Sequence, residues 1–133
     1  MPITLAFDLG SSSGRCVVGR FERGRLELSE LCRFPNDPVS VHGDLHWDLL
    51  HLWHEIKAGI SRAAIGSEGA SIGIDTWGVD FGLIDRAGRL LGHPYHYRDQ
   101  RTNGMIERAE ALVGRGFLFR TTGVHDQWVN TVY

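Results

Sequence analysis

The sequence predicts a mixed α/β fold, and three observations carry that expectation. Three strand-like runs open the chain as a meander, a long amphipathic helix follows, and further strands and a second helix complete the order. All of this fits within 133 residues, a length that suits one compact domain spanning 1–133.

The first strand is read at residues 3–8, from the apolar run Ile3-Thr4-Leu5-Ala6-Phe7 ending in Asp8. Residues 15–22 form its hairpin partner. After the turn Arg23-Gly24, Leu26–Phe34 alternates apolar and polar positions as a third strand. Pro35-Asn36-Asp37-Pro38 closes the meander, and 39–46 reads as loop with a turn at Gly43-Asp44. A helix is expected over about Asp48–Ile65, capped by Asp48. Leu49, Leu52, Trp53, Ile56, Ile60 and Ala63 would form its apolar stripe. Ala70–Ile74 and Val79–Ile84 read as strands, Asp85-Arg86-Ala87-Gly88 as a turn, and Leu90–Tyr97 as an irregular strand broken by Pro94. A second helix runs from near Thr102 to about Val113, with Met105, Ile106, Ala109 and Leu112 as its apolar face. Gly114 and Gly116 end it, and Phe117–Phe119 is a short apolar turn.

Composition narrows the function classes. The formal net charge is −2 and the 14 basic residues, of which only Lys57 is a lysine, are scattered, so no nucleic-acid footprint is present. No apolar run is long enough to span a membrane, and no signal peptide opens the chain. A cytoplasmic protein is expected. Cys16 and Cys32 sit in strand-like segments and read as buried free thiols. His51 and His54 share a helix face and His93 and His96 a short segment, but neither pair has the further ligands of a zinc site. They read as surface or packing residues.

The segment richest in chemistry is Asp8-Leu9-Gly10-Ser11-Ser12-Ser13-Gly14-Arg15. A tight turn of glycine and serine between two strands brings backbone N–H groups and hydroxyls close to an anion. Asp8 can order a magnesium ion through water, since Mg²⁺ favours one or two carboxylates plus substrate phosphates. The segment is neither a Walker A loop nor a dinucleotide fingerprint, and an unliganded hairpin turn has the same outline.

A meander that begins with a phosphate hairpin and then crosses through a helix resembles the ribonuclease-H-like half-domain of actin-like ATPases and sugar kinases, a mixed sheet with flanking helices. Two further segments sharpen this. Gly73-Ile74-Asp75-Thr76-Trp77-Gly78-Val79-Asp80-Phe81 and Tyr97-Arg98-Asp99-Gln100-Arg101-Thr102-Asn103-Gly104, with the opening hairpin and the pair Trp47-Asp48, resemble the N-terminal domain of rhamnulokinases, members of the FGGY carbohydrate kinases. The resemblance covers almost the whole chain.

It implies ATP-dependent phosphorylation of a ketose, L-rhamnulose at its 1-hydroxyl, with ATP and Mg²⁺ as cofactors. Ser11, Ser12, Ser13, Gly14 and Arg15 match the phosphate loop and Asp8 the acidic residue near metal and phosphates. Trp77, Gly78 and Val79 match the substrate-contacting turn. Trp77 serves equally well as core or as ligand platform. Asp75 and Asp80 read as capping, ion-pairing or sugar-contacting residues, and Arg98 and Asp99 as loop braces or ligand contacts. The stretch His125-Asp126-Gln127-Trp128-Val129 departs from the family's more apolar, proline-containing segment, which leaves other ketoses such as fuculose or xylulose open. The resemblance places the general-base Asp and a second domain beyond Tyr133, so the chain is expected to be an incomplete, inactive N-terminal domain; the alternative is a non-catalytic remnant that binds nucleotide or sugar, or only pairs with another chain. Its exposed cleft face is expected to drive self-association.

Overall fold

The computed structural model describes residues 3–63 and 70–133. The chain divides into two compact units, one built from residues 1–37 and 48–78, the other from 38–47 and 79–133.

The first unit is a four-stranded sheet with one helix packed against it. Strands β1 (Ile3–Leu9), β2 (Ser13–Glu22) and β3 (Arg25–Pro35) form the antiparallel meander anticipated from sequence. The turn between β2 and β3 is the two-residue Arg23-Gly24, both at positive φ, the geometry that matches the twist of a hairpin. In the second unit, residues 39–46 are not loop but a small hairpin, β4 (Val39–Val41) and β5 (Asp44–His46). It is closed by the same chemistry, His42-Gly43 at positive φ. Its three-residue strands are too short for alternation to register.

Helix α1 (Leu49–Arg62) starts as expected, with the Asp48 side chain accepting the His51 N–H at 2.9 Å. The end expected at Ile65 lies outside the described residues. Of the expected stripe, Leu52 and Ile56 are buried with Gly59 beside them, Ile60 and Ala63 pack partly buried against the core, and Leu49 is exposed. Trp53 is 56% exposed and lies under the Lys57 ammonium instead of in the core. Strand β6 (Ala70–Asp75) then pairs with β1 in parallel, giving the order β3-β2-β1-β6.

Alternation along β1 turns Leu5, Phe7 and Leu9 inward, where they join Cys16, Val18, Phe34, Leu52 and Ile56 in one core. The contact between α1 and the sheet depends on Gly59. A Cβ there would lie 2.8 Å from the Phe7 ring and 3.4 Å from the Cys16 Cβ, so the helix backbone itself rests on the core. On β6 the core face is not fully covered: Ile72 and Ile74, in register with Leu5 and Phe7, are 48% and 53% exposed.

The second unit carries less regular structure. The strand expected at Val79–Ile84 does not form: apart from one bridge between Ile84 and Leu90, this segment finds non-ladder partners. The Val79 carbonyl, for example, accepts the Thr131 hydroxyl at 2.6 Å. Leu90–Tyr97 likewise makes only isolated bridges, one of them to His46 of β5. The turn at 85–88 is present, tied by the Asp85 carboxylate to the N–H groups of Ala87 and Arg89. Residues 100–102 form a separate 3₁₀ turn. Helix α2 (Met105–Val113) begins three residues later than expected because Gly104 adopts a left-handed φ of 76°. Leu112 is 77% exposed, not part of a buried face. Phe117 opens a short helix, α3 (Phe117–Thr122), rather than a turn.

Gly59→Ala tests the helix–sheet contact. Alanine gains roughly 1 kcal/mol of helix propensity, but the added methyl collides with Phe7, and overpacking costs about 1–3 kcal/mol. A net loss is expected, read as a lower urea midpoint at unchanged slope. An unchanged or raised midpoint would contradict the close approach.

Candidate functional site

Two polar constellations stand out, one in each unit. The first is the Gly-Ser hairpin between β1 and β2. Here Gly10 N–H donates to the Ser13 carbonyl at 3.0 Å. Asn36 is buried and makes two more bonds: its N–H donates to the Ser12 carbonyl at 3.0 Å and its side-chain amide to the Gly10 carbonyl at 2.7 Å. Three of the loop's carbonyls are thereby occupied from within the protein, which fixes the turn carrying the Ser11, Ser12 and Ser13 hydroxyls. Gly14 has a packing reason to be glycine, because a Cβ would sit 2.3 Å from the Phe34 ring.

Asp8 lies on the sheet face opposite the core, in register with Arg15 of β2 on one side and Asp75 of β6 on the other. Arg15 donates from Nε (2.8 Å) and Nη2 (2.5 Å) to the same Asp8 oxygen, Oδ2. Arg33, the register partner of Arg15, adds a second guanidinium next to the loop, with Nη1 3.5 Å from the Ser13 hydroxyl. Its bonds to Glu30 hold that carboxyl below its ordinary pKa and raise the pKa of Arg33 itself. Directly paired residues point to one face of a sheet, so Asp8, Asp75, Arg15 and Arg33 share a face at the loop end of the strands. Arg33, Asp75 and Asn36 were not singled out for this loop by sequence; their signal is the strand register and one long-range clamp. Two adjacent carboxylates beside a hydroxyl-rich loop fit what Mg²⁺ requires from protein, with water and phosphate completing its shell.

Trp77 is partly buried and packs against the core of the first unit, and Gly78 has open space on its Cα. Val79 falls in the second unit, where it lines the second constellation. This is a cavity of about 150 Å³, also walled by Asp80, His96, Tyr97, Arg101 and Thr102. The cavity is built on a buried aromatic stack. Trp47 lies 4.1 Å from His96 and His96 4.5 Å from Tyr97, centroid to centroid, and the Trp47 indole N–H donates to Asp80.

His96 is fully buried. Its Nδ1 accepts the Arg98 N–H at 3.0 Å, which places the proton of the neutral ring on Nε2. Among the described residues, the buried side-chain atoms without a hydrogen-bond partner are His96 Nε2 and Thr102 Oγ1, and both residues line this cavity. Asp99 acts as a brace: it accepts from the N–H groups of Leu45 (2.7 Å) and Arg101 (2.9 Å). Burial alone would raise its carboxyl, but those bonds and the charges of Arg101 and His46 bring it below the ordinary value. Sequence placed His96 among the packing residues; its stack bears that out, while its free nitrogen was not legible.

The chain is similar to rhamnulokinases. It is 42% identical over 134 residues to that of Yersinia pestis bv. Antiqua (strain Angola), matching 97% of this chain and 27% of the relative. It is 41% identical over 131 residues to that of Mannheimia succiniciproducens, again with 27% of the relative covered. The chain thus spans about a quarter of the length of these curated relatives. Among solved structures, a xylulose kinase from Lactobacillus acidophilus superposes with a TM-score of 0.71 at 12% identity, over 90% of this chain and 24% of that one. Plasmodium falciparum glycerol kinase with ADP gives 0.69 at 14% identity, over 98% and 27%. These likenesses bear out the ribonuclease-H-like, actin-like ATPase fold. No family model matches.

The His96 environment predicts a pH dependence. Burial pushes its imidazole below the ordinary value; Arg98 adds to this, while Asp80 and Asp99 oppose it. The unfolded chain therefore binds a proton near pH 6.5 that the folded chain still refuses. Stability is complete above that pH and declines as the pH falls below it. Urea midpoints taken from pH 8 to 5 should drop below about 6.5. His96→Phe, which cannot titrate, should flatten this part of the curve; an equally steep drop in that variant would refute the assignment.

Proposed function

We propose that this chain, a homologue of the rhamnulokinases with the fold of the FGGY carbohydrate kinases, supplies the phosphate-binding hairpin and a ketose-binding cavity for ATP-dependent phosphorylation of L-rhamnulose at its 1-hydroxyl. The observation that carries the sugar assignment is the cavity in the second unit. A buried Nε2–H donor and a buried hydroxyl, both unpartnered, belong to two residues that line a space of about 150 Å³ together with Asp80 and Asn130. Unpaired buried polar groups are costly unless a ligand completes them, and a polyol offers donors and acceptors at this density.

In this reading Ser11, Ser12, Ser13 and Gly14 receive the phosphates of ATP on hydroxyl and backbone donors, and Arg15 and Arg33 offset their charge. Asp8, with Asp75 beside it, holds Mg²⁺ through water; the ion supplies charge neutralisation across the phosphates when bound. Arg15 keeps one Asp8 oxygen engaged and so orients the other. Val79, Asp80, His96 and Thr102 bind the ketose, and Trp77 and Gly78 retain the substrate role implied by the family resemblance. Phosphoryl transfer depends mainly on positioning and charge stabilisation, and the hairpin residues supply the charge stabilisation. No residue of this chain is assigned as the general base.

Calorimetry on the 133-residue chain tests both halves. MgATP and L-rhamnulose should each give a binding isotherm. Arg15→Ala should weaken MgATP about tenfold or more while leaving the sugar unchanged, and Asp80→Ala should do the reverse. A coupled assay should register no turnover by the chain alone. Absence of heat with both ligands would overturn the proposal, and tighter binding of L-fuculose or D-xylulose than L-rhamnulose would reassign the substrate.

The same reading predicts self-association. Ile72 and Ile74 extend the core face of the sheet into solvent, and exposed apolar surface of this kind drives contact between copies. Light scattering should show a mass rising with concentration, and Ile72→Lys should suppress the rise; a monomer at all concentrations would contradict it.

A further inference from the structure

We propose that Cys16 and Cys32 are a dithiol site, converted in the folded chain to a reversible intramolecular disulfide by a small-molecule disulfide such as oxidised glutathione. The register of β2 on β3 sets Cys16 directly opposite Cys32, and both thiols are free. Directly opposed residues of antiparallel strands have Cα atoms about 4.5–5.5 Å apart and side chains on one face. Both spacings lie inside the range that a disulfide spans. The two side chains belong to one cluster, Cys16 buried in the core and Cys32 packed against it.

Local geometry favours closure. The ladder shifts register between Cys16 and Val17, where Leu31 is the extra residue of a β-bulge. A bulge interrupts the regular hydrogen bonds and gives the adjoining pair room to adjust.

The unequal burial of the two thiols assigns them different parts. Cys32 is partly exposed and meets the reagent; Cys16 is fully buried and does not. The Cys32 thiolate attacks one sulfur of oxidised glutathione. A Cys32–glutathione mixed disulfide forms and one glutathione thiolate leaves. Cys16 gives its proton to solvent base and attacks the Cys32 sulfur, expelling the second glutathione. In balance, two protein thiols and one glutathione disulfide become one protein disulfide and two glutathione thiols. Burial raises the Cys16 thiol above its ordinary pKa, with Cys32 adding to the effect, so the resolving step is the slow one and accelerates with pH. The bridge would pin β2 to β3 immediately beyond the Arg15–Arg33 pair that flanks the hairpin.

The test is to incubate the folded 133-residue chain at pH 8 with millimolar oxidised glutathione, quench with acid, and alkylate in denaturant. The expected product is a monomer with no alkylatable thiol and a mass about 2 Da lower. A peptide should join Cys16 to Cys32, the melting temperature should rise by several degrees, and dithiothreitol should reverse all of this. Cys16→Ala should stop at a stable glutathione adduct on Cys32, and Cys32→Ser should take up no glutathione. Two thiols still alkylatable, a persistent adduct in the parent chain, a bridge between chains, or closure only in denaturant would each overturn the proposal.

Discussion

The parallel pairing of β1 with β6 is the constraint on which the first unit depends. The two strands are far apart in sequence and can run parallel only if the chain crosses back between them, which α1 makes possible. That crossing must lay the helix on the sheet, and Gly59 lets its backbone settle on Phe7. Once the pairing is set, Asp8 stands beside Asp75. The segments that follow the two strands, Gly10–Ser13 and Thr76–Gly78, then leave the sheet at the same edge. The carboxyl ends of parallel strands are where open α/β sheets bind ligands, so a turn that would be unremarkable in an isolated hairpin acquires an acidic neighbour and a place to act.

The hairpin shows how packing and chemistry share residues. Gly14 is glycine because Phe34 occupies the volume of its missing side chain, and Phe34 is in turn part of the core under α1. Asn36, which follows β3 beside the start of β2, spends its backbone and side-chain donors on the loop carbonyls. Replacing it with alanine would leave the partly buried Gly10 carbonyl without its clamp, a loss of about 1 kcal/mol for one hydrogen bond. The loop is therefore rigid for reasons that lie outside it. A preorganised cluster of donors loses less on binding an anion than a mobile one does.

What the sequence disclosed follows from where periodicity is strong. β1, β2, β3, β6 and the start of α1 were legible because apolar residues recur at two or nearly four positions and because Arg23-Gly24 and Asp48 mark turn and cap. Strand register was not legible, and with it went Arg33 beside Arg15, Asp75 beside Asp8, and Cys16 opposite Cys32. The second unit resisted more deeply. Its buried centre is Trp47, His96 and Asp99, joined by ring stacking and by hydrogen bonds such as that from Leu45 to Asp99, which spans more than fifty residues. No hydrophobic alternation announces such a centre, so an apparent strand at 79–84 came apart and a three-residue hairpin passed as loop.

That polar centre also carries a thermodynamic argument. A buried histidine whose Nδ1 is satisfied and whose Nε2 is not has given up solvation for one hydrogen bond, a deficit of about 1–3 kcal/mol that the fold must absorb elsewhere. Thr102 Oγ1 adds a second such group on the same cavity. Had the site served packing alone, an apolar ring at His96 would hold the Trp47–Tyr97 stack without the orphaned Nε2, at the cost of the acceptor that Nδ1 gives the Arg98 N–H. Keeping an imidazole there makes sense if its free N–H meets a partner that arrives from solvent. The same substitution then separates the two roles: relief of the orphaned Nε2 and loss of the acceptor for the Arg98 N–H oppose each other, so His96→Phe should change the stability of the empty chain little while weakening the sugar, whereas a purely structural histidine would leave sugar affinity unchanged.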